Sequence, residues 1–298
     1  MGNSIWTSSP SNSSTASFRD WGSKISSGLA ASGLIKLPIS GQIIDWSTQN
    51  PPSSPNSVSG VEWWGFNDEF QDEEPIGFLI SYGSGNSISD PSISLNIAYR
   101  VDNEFNSITT KSIAFTFSGI SDPGIRTSFA SGDGSGLTLA LFSDSTQIAS
   151  RQLLVIDRFR NIDGSVRGGG YIMIFKPAQS DTGSFYVFRP VNGTNMYTVS
   201  KSPPALIPMN INNTTSLSDG VNKYVSPYMV ANPQGDGVIY VKMIVCCASF
   251  DFSFSTLHDL SHLGALRSYR ALGSLHGYMD SKEQSNASGL VWWDDMTE

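Results

Sequence analysis

Residues able to do bond chemistry are few in this chain and unevenly placed. All three histidines fall late, at His258, His262 and His276. His258 and His262 stand four apart, a spacing that puts two imidazoles on one helix face for zinc. The residue after His258, however, is Asp259, where a metalloprotease helix needs the longer Glu as base, and no third ligand is apparent. A solvated helix face is the preferred reading. The stretch FNDEFQDEEP (66–75) gathers Asp68, Glu69, Asp72, Glu73 and Glu74. Converging carboxylates suit a hard cation such as Ca²⁺, but the sixth position of an EF-hand loop lacks its glycine, so a solvated acidic loop is preferred and no cofactor is expected. The same acids could form a glycosidase pair, though nothing specific marks one.

The remaining motifs are weaker still. The glycine runs GDGSG (132–136) and RGGG (167–170) do not lead from a strand into a helix and lack the Gly-Lys-Ser/Thr of a phosphate loop. No Gly-x-Ser-x-Gly elbow has both its spacing and a following helix. Cys246 and Cys247 are adjacent in an apolar run. Neighbouring strand residues point to opposite faces, so the pair reads as two buried small side chains in a reducing setting. Arg151, Arg158, Arg160 and Arg167 form the one basic cluster. On a strand Arg158 and Arg160 share a face, opposite Phe159, and a guanidinium there can hold phosphate or the carboxylates of a neighbouring subunit. The acidic balance of the chain favours subunit contact. No catalytic constellation emerges, and the chain is not expected to be an enzyme.

Composition frames these residues. Of 298 residues only 15% are charged, and the formal net charge is −8, with 26 Asp and Glu against 18 Lys and Arg. That balance disfavours phosphate-neutralising nucleic-acid binding, and 39% hydrophobic content disfavours global disorder. Two cysteines cannot staple a chain this long. In place of charge stand 50 Ser, 28 Gly, 18 Asn and 16 Thr, a mixture that favours turns and short strands. No apolar run is long enough for a transmembrane helix. The first residues lack the basic and apolar regions of a secretory signal. Gly2 lacks the Ser or Thr at position 6 that myristoylation wants, because Trp6 sits there. The sequons at Asn12, Asn192, Asn212, Asn213 and Asn286 are read as products of Asn/Ser/Thr-rich loops.

Three segments follow. Residues 1–60 read as an N-terminal arm, Ser-rich at 1–17 and Pro-rich at 50–60, with a short amphipathic stretch between. In that stretch Phe18, Trp21, Ile25 and Leu29 fall at helical spacing. Gly22, Gly28 and Gly33 weaken it as a free helix, so it should order only when docked. Residues 61–254 read as strands, among them 61–66, 76–82, 92–101, 109–117, 137–142, 148–157, 171–176, 184–189 and one long strand over 238–254. Turn clusters separate them, and 191–223 reads as a long polar connection. Residues 255–298 read as a helix followed by an acidic, aromatic tail, in which Trp292 and Trp293 precede Asp294. Without alternating helices a parallel sheet is disfavoured. The predicted class is all-β, an antiparallel β-sandwich of jelly-roll type with an N-terminal arm and a C-terminal helical tail.

The Ser-rich arm, the Pro-rich entry to the body and the Phe-rich final strand GDGVIYVKMIVCCASFDFSF together resemble the coat proteins of small icosahedral picorna-like RNA viruses. The resemblance is architectural. It implies a jelly-roll capsid protein that assembles with copies of itself or related subunits in the host cytoplasm and resides in the virion, with a host-cell receptor as a further partner. An arm of net charge +1 departs from the strongly basic RNA-binding arms of plant-type coat proteins. On this reading Phe18, Trp21, Ile25, Leu29, Arg158, Arg160 and the tail pair Trp292 and Trp293 are candidate subunit-interface residues. Removing 1–46 should then leave the sandwich folded while impairing assembly. The alternative is a lectin-like carbohydrate-binding β-sandwich.

Overall fold

Strands with period-two alternation bury one face each, and here they bury it against one another. The computed structural model describes residues 2–37, 44–101, 107–115, 124–142, 152–161, 165–175, 184–191 and 195–201. Toward the C-terminus it describes 206–207, 217–218, 223–225, 228–231, 237–240, 243–248, 257–259, 268–274 and 287–293. The elements up to residue 201 are β1 (Gly2–Ser8), α1 (Thr15–Ala31), β2 (Ile35–Lys36), β3 (Val58–Gly65), β4 (Ile76–Ser84), β5 (Pro91–Val101) and β6 (Ser107–Phe115). Then come β7 (Arg126–Gly132), β8 (Gly136–Leu141), β9 (Gln152–Arg160), β10 (Val166–Phe175), β11 (Ser184–Val191) and β12 (Asn195–Lys201), the last within the predicted connection. Strand pairing among the described residues is antiparallel throughout. Among the described residues the protein is all-β apart from α1, as its turn-rich composition predicts.

Two sheets form the sandwich. One runs β2-β3-β4-β5-β6; the other has seven strands in the order β1-β7-β8-β9-β10-β11-β12. Their facing side chains make one core. Trp64, Phe66, Phe78, Ile80, Tyr82 and Leu95 come from the first sheet or its flank, and Leu137, Leu139, Leu141, Leu154, Ile156 and Ile172 from the second. Phe66 and Phe78 meet edge to face with ring centroids 4.9 Å apart. In both sheets consecutive strands are neighbours, apart from β1 at one edge. That is a meander, whereas a jelly roll interleaves its strands by Greek-key connections. The jelly-roll expectation is corrected accordingly.

Every residue of β8 and β9 is buried. A strand of a two-layer sandwich would expose alternate residues, so the seven-stranded sheet is covered on both faces. On the face away from the five-stranded sheet, the Thr138 hydroxyl donates to the Met243 carbonyl at 3.4 Å. Met243 is fully buried and Tyr269 is nearly so. The covering layer is therefore C-terminal. It includes a six-stranded sheet of Leu217–Ser218, Lys223–Val225, Ile244–Ala248, Ala287–Trp293, Ser268–Ser274 and Leu257–Asp259, in that order.

This layer overturns two expectations. The described residues of the predicted C-terminal helix are strands: Leu257–Asp259 pairs with Ser268–Ser274, which pairs with Ala287–Trp293. The leucine spacing that suggested a helix lies among glycines and serines. The β-formers Val291, Trp292 and Trp293 supply a partner strand that local helical preference does not outweigh. The long strand over 238–254 is also divided, because Gly237–Tyr240 joins a three-stranded sheet and Ile244–Ala248 the six-stranded one; residues 249–254 lie outside the described residues. The segment boundaries move too. Position 60/61 falls inside β3, and residues on either side of 254 share a sheet.

The N-terminal segment is part of the core. β1 pairs with β7 along its whole length. Ser14 caps α1, its hydroxyl accepting the Ser17 N–H at 3.0 Å. The predicted stripe is the buried one: Phe18, Trp21, Ile25 and Leu29 are at most 1% exposed. They lie in the same core as both sheets, with Trp21 5.9 Å from Tyr82 and Phe18 5.5 Å from Trp21 between ring centroids. The helix glycines have a packing reason. A Cβ on Gly22 would enter the Trp46 ring, and one on Gly28 would come within 2.7 Å of the Trp6 ring. Asn12, although in a sequon, is buried and donates to the carbonyls of Gly83 at 2.9 Å and Asp90 at 3.3 Å. Among the described residues no helix is long and apolar enough to cross a membrane.

Two outcomes are expected. Removal of residues 1–31 takes Trp6, Phe18, Trp21, Ile25 and Leu29 out of the core. At about 1.5–3 kcal/mol per buried side chain, the loss matches the whole stability of an ordinary domain. The truncated chain should lose its near-ultraviolet circular dichroism, contrary to the expectation that the sandwich folds without its arm. Gly22→Ala should lower the urea midpoint even though alanine is the better helix former by about 1 kcal/mol, because the Trp46 ring fills the Cβ position.

Candidate functional site

The informative residues in a sandwich are the charged ones inside it. Among the described residues three ionic clusters lie between the layers, and together they account for the acidic stretch, both glycine runs and two of the clustered arginines.

The first centres on Glu62, which stands on the inward face of β3 beside Trp64 and is fully buried. Its Oε1 accepts from Lys36 Nζ at 2.7 Å, Ser26 Oγ at 3.0 Å and Trp46 Nε1 at 3.2 Å. Its Oε2 accepts from Tyr82 OH at 3.0 Å and Trp64 Nε1 at 3.3 Å. The donors come from α1, β2, the turn after residue 44, β3 and β4. Burial, followed by the adjacent carboxylate, holds the Tyr82 hydroxyl well above its usual pKa, so it remains a donor. Trp63 and Trp64 are both buried.

The second cluster joins two motifs that looked unrelated. Arg158 on β9 is fully buried. Its Nε and Nη2 grip Asp68 at 3.0 and 3.2 Å, and Nη2 also reaches Gln71 Oε1 and the Glu74 carbonyl, each at 3.1 Å. The guanidinium lies 4.6 Å from the centre of the Phe66 ring. Glu74 turns its carboxylate onto the glycine run: Oε2 accepts the Gly169 N–H at 2.7 Å. Strand β10 bulges between Arg167 and Gly170, and Gly169 has φ of +76°. A Cβ on Gly168 would collide with the Glu74 carboxylate. RGGG is thus a bulge shaped to receive a carboxylate from the acidic stretch. This commits Asp68 and Glu74 to protein partners and leaves Glu69, Asp72 and Glu73 at or near the surface. Among the described residues no group of three or more His, Cys, Asp or Glu is placed to hold a metal ion.

The third cluster sets two carboxylates on one guanidinium. Arg160 Nε lies 2.9 and 3.0 Å from the two oxygens of Asp157, and its Nη1 lies 3.1 Å from Asp133 Oδ2. Tyr171 OH donates to Asp157 Oδ2 at 2.9 Å. Burial raises the Asp157 carboxyl to about 6; Arg160 opposes the rise and the Asp133 charge adds to it. For Arg160 burial works against the charge, but the two carboxylates outweigh it and its pKa is raised.

The candidate interface residues are placed as follows. Phe18, Trp21, Ile25 and Leu29 are buried within the chain itself, and so are Arg158 and Arg160. These six contact their own chain, which corrects their assignment to a subunit interface. The arginines find acidic partners, as predicted, but in cis. Trp292 and Trp293 end the strand Ala287–Trp293, their backbones opposite Tyr269 and Ser268. The tail from position 294 onward lies outside the described residues. His258 is on the strand Leu257–Asp259, so the helical spacing read for it and His262 does not apply; His262 lies outside the described residues. Glu62, Asp133 and Asp157 were missed. The available signal for two of them was a single acid inside an apolar strand, as in VEWWGF and LLVIDRF. A shallow groove of about 360 Å³ lined by residues 48–53 and 57–59 carries no ionisable side chain.

Compared with protein-family models, with curated proteins and with solved structures, the chain gives no match.

Glu62→Ala leaves Lys36 and the buried tryptophan and tyrosine donors without their acceptor, and should cost about 3–5 kcal/mol. Lys36→Met should cost a comparable amount, because the four remaining donors are neutral and the fully buried carboxylate loses its cation. Urea unfolding with unchanged m-values would measure both.

Proposed function

We propose that this chain is a structural subunit of an icosahedral virus shell, a coat protein that packs against copies of itself or related subunits. The observation that carries the reading is where the charge goes. The chain is poor in charge, and four of its charged residues point inward: Glu62, Asp157, Arg158 and Arg160 are at most 4% exposed. What remains outside is rich in neutral hydroxyl and amide groups, a surface that costs little to cover with another protein. Charged residues are depleted at the centres of protein interfaces for the same reason. All-β sandwich architecture is the form this resemblance implies. A meandering sandwich serves the role as well as a jelly roll, since shell building depends on the outer surface and not on strand order.

The edge of the seven-stranded sheet offers the contact. Its outermost strand β1 carries Ile5, 46% exposed, and Ile125 just before the paired strand β7 is 68% exposed. Scattered exposed isoleucines are ordinary; two beside one sheet edge in a neutral surface suit burial by a second copy. Packaging of RNA by a basic arm is not part of the proposal. The cellular setting proposed is the virion, after assembly in the host cytoplasm, with a receptor as an external partner.

Purified protein should form large oligomers or closed particles, seen by sedimentation and negative-stain electron microscopy. Replacing both Ile5 and Ile125 with Asp should shift the distribution at least tenfold toward the monomer while leaving far-ultraviolet circular dichroism unchanged. A chain that stays monomeric at high concentration and is retained on a glycan column would replace this reading with the lectin-like one.

A further inference from the structure

The third ionic cluster sets two carboxyls against one guanidinium. Asp157 and Asp133 share Arg160, whose Nη2 lies 2.8 Å from Asp157 Oδ1 and 3.1 Å from Asp133 Oδ1. The side chains of Asp157, Arg160 and Asp133 are 0, 5 and 8% exposed. Among the described residues the other titratable groups facing the cluster are Tyr171, bonded to Asp157, and Tyr269, which faces Tyr171 from the strand Ser268–Ser274. Burial pushes the Tyr171 hydroxyl well above its usual pKa, so it stays neutral. With both carboxyls ionised, Asp133, Asp157 and Arg160 together carry a net charge of −1 out of water.

Its position gives that charge leverage. Asp157, Gly136 and Tyr171 sit side by side on the face of the seven-stranded sheet that the C-terminal strands cover. A Cβ on Gly136 would strike Asp157, so the carboxyl is packed to contact. Asp133 opens the turn into β8 and accepts the Ser135 N–H at 3.0 Å. That turn ties down two further segments: Gly134 N–H donates to the Ser32 carbonyl at 3.1 Å, and Asn67 N–H to the Gly134 carbonyl at 2.9 Å.

We infer that Asp133, Arg160 and Asp157 form a proton-operated clasp between the turn into β8 and the end of β9, taking up one proton on passing from neutral to mildly acidic surroundings and holding the turn to the strand more tightly when it does. The proton belongs to the pair of carboxyls, because each feels the other through the shared guanidinium. The sign follows from linkage. A carboxyl that titrates higher in the folded chain than in the unfolded one is protonated only in the folded chain between the two values. Stability therefore falls as pH rises through about 6, where Asp157 titrates, and is regained in acid down to the unfolded value. The clasp operates whether or not the chain builds a shell.

Thermal unfolding of the full chain at pH 5.5 and 7.5 tests it, in the wild type, Asp157→Asn and Asp133→Asn. Either amide removes the surplus charge while keeping a hydrogen-bonding side chain of the same size. The wild type should gain about 2 °C in acid relative to both variants. Variants that follow the wild type at both pH values would overturn the clasp. A wild-type advantage that Asp157→Asn loses but Asp133→Asn retains would overturn the sharing between the two carboxyls. Should Asp157→Asn not fold, calorimetry in buffers of different ionisation enthalpy counts protons directly. At pH 5.5 the wild type should release about 0.7 more proton on unfolding than Asp133→Asn, and equal release would overturn the proposal.

Discussion

A carboxylate sealed away from water must be surrounded by donors, and the placing of Glu62 inside this sandwich constrains much of what lies around it. Removing an ionised group from water costs several kcal/mol, and only close, well-directed partners offset that. Glu62 has donors on five segments. Each must stand within a few tenths of an ångström of one place. That requirement sets the face that α1 turns toward the sheet, brings Lys36 alongside Trp64, and anchors the turn bearing Trp46 over Tyr82. Apolar packing alone would allow the helix to slide by a residue or rotate on the sheet; five converging hydrogen bonds do not.

The same logic operates on the other side of the core. β9 is buried from end to end, yet it carries Asp157, Arg158 and Arg160. A strand covered on both faces can hold such residues only where another segment reaches in with the opposite charge. The acidic stretch 66–75 does this for Arg158 and the turn at 133–136 does it for Arg160. The connections of the five-stranded sheet are thereby bolted to the central one. Glycine makes the close approaches available: Gly168 and Gly169 leave room for Glu74, and Gly136 leaves room for Asp157.

What could be read from the sequence follows from the range of the interaction concerned. The strands at 76–82, 92–101, 137–142 and 184–189 were legible because alternation is local. The helix stripe Phe18, Trp21, Ile25 and Leu29 was legible for the same reason. Strand β7, in a run of Ser, Gly and Ala, was not, because its pairing with β1 and β8 replaces the propensity it lacks. The C-terminal strands were hidden by a leucine spacing that suits a helix equally well. The acidic stretch and the glycine run were each noticed, yet their meaning depends on a contact across most of a hundred residues, since Glu74 meets Gly169. A motif whose partner lies in another sheet reads as a binding site for something external. Here the partner was in the chain.

That point bears on function. Acidic loops, glycine nests and paired arginines are the usual raw material of ligand sites, and in this protein each is filled by its own chain. Charge used in this way positions layers, and a low charged fraction is then enough for a large body. Among the described residues the outer surface carries many serines and asparagines beside charges such as Asp45, Glu69, Asp72 and Glu73, and the hydrogen bonds of the neutral groups to water can be exchanged for hydrogen bonds to a neighbour at little net cost. A cover of protein over a surface of lysine and glutamate would instead have to desolvate each charge. Glu62, Asp157, Arg158 and Arg160 are the buried ions among the described residues, and each is used to position the chain's own layers.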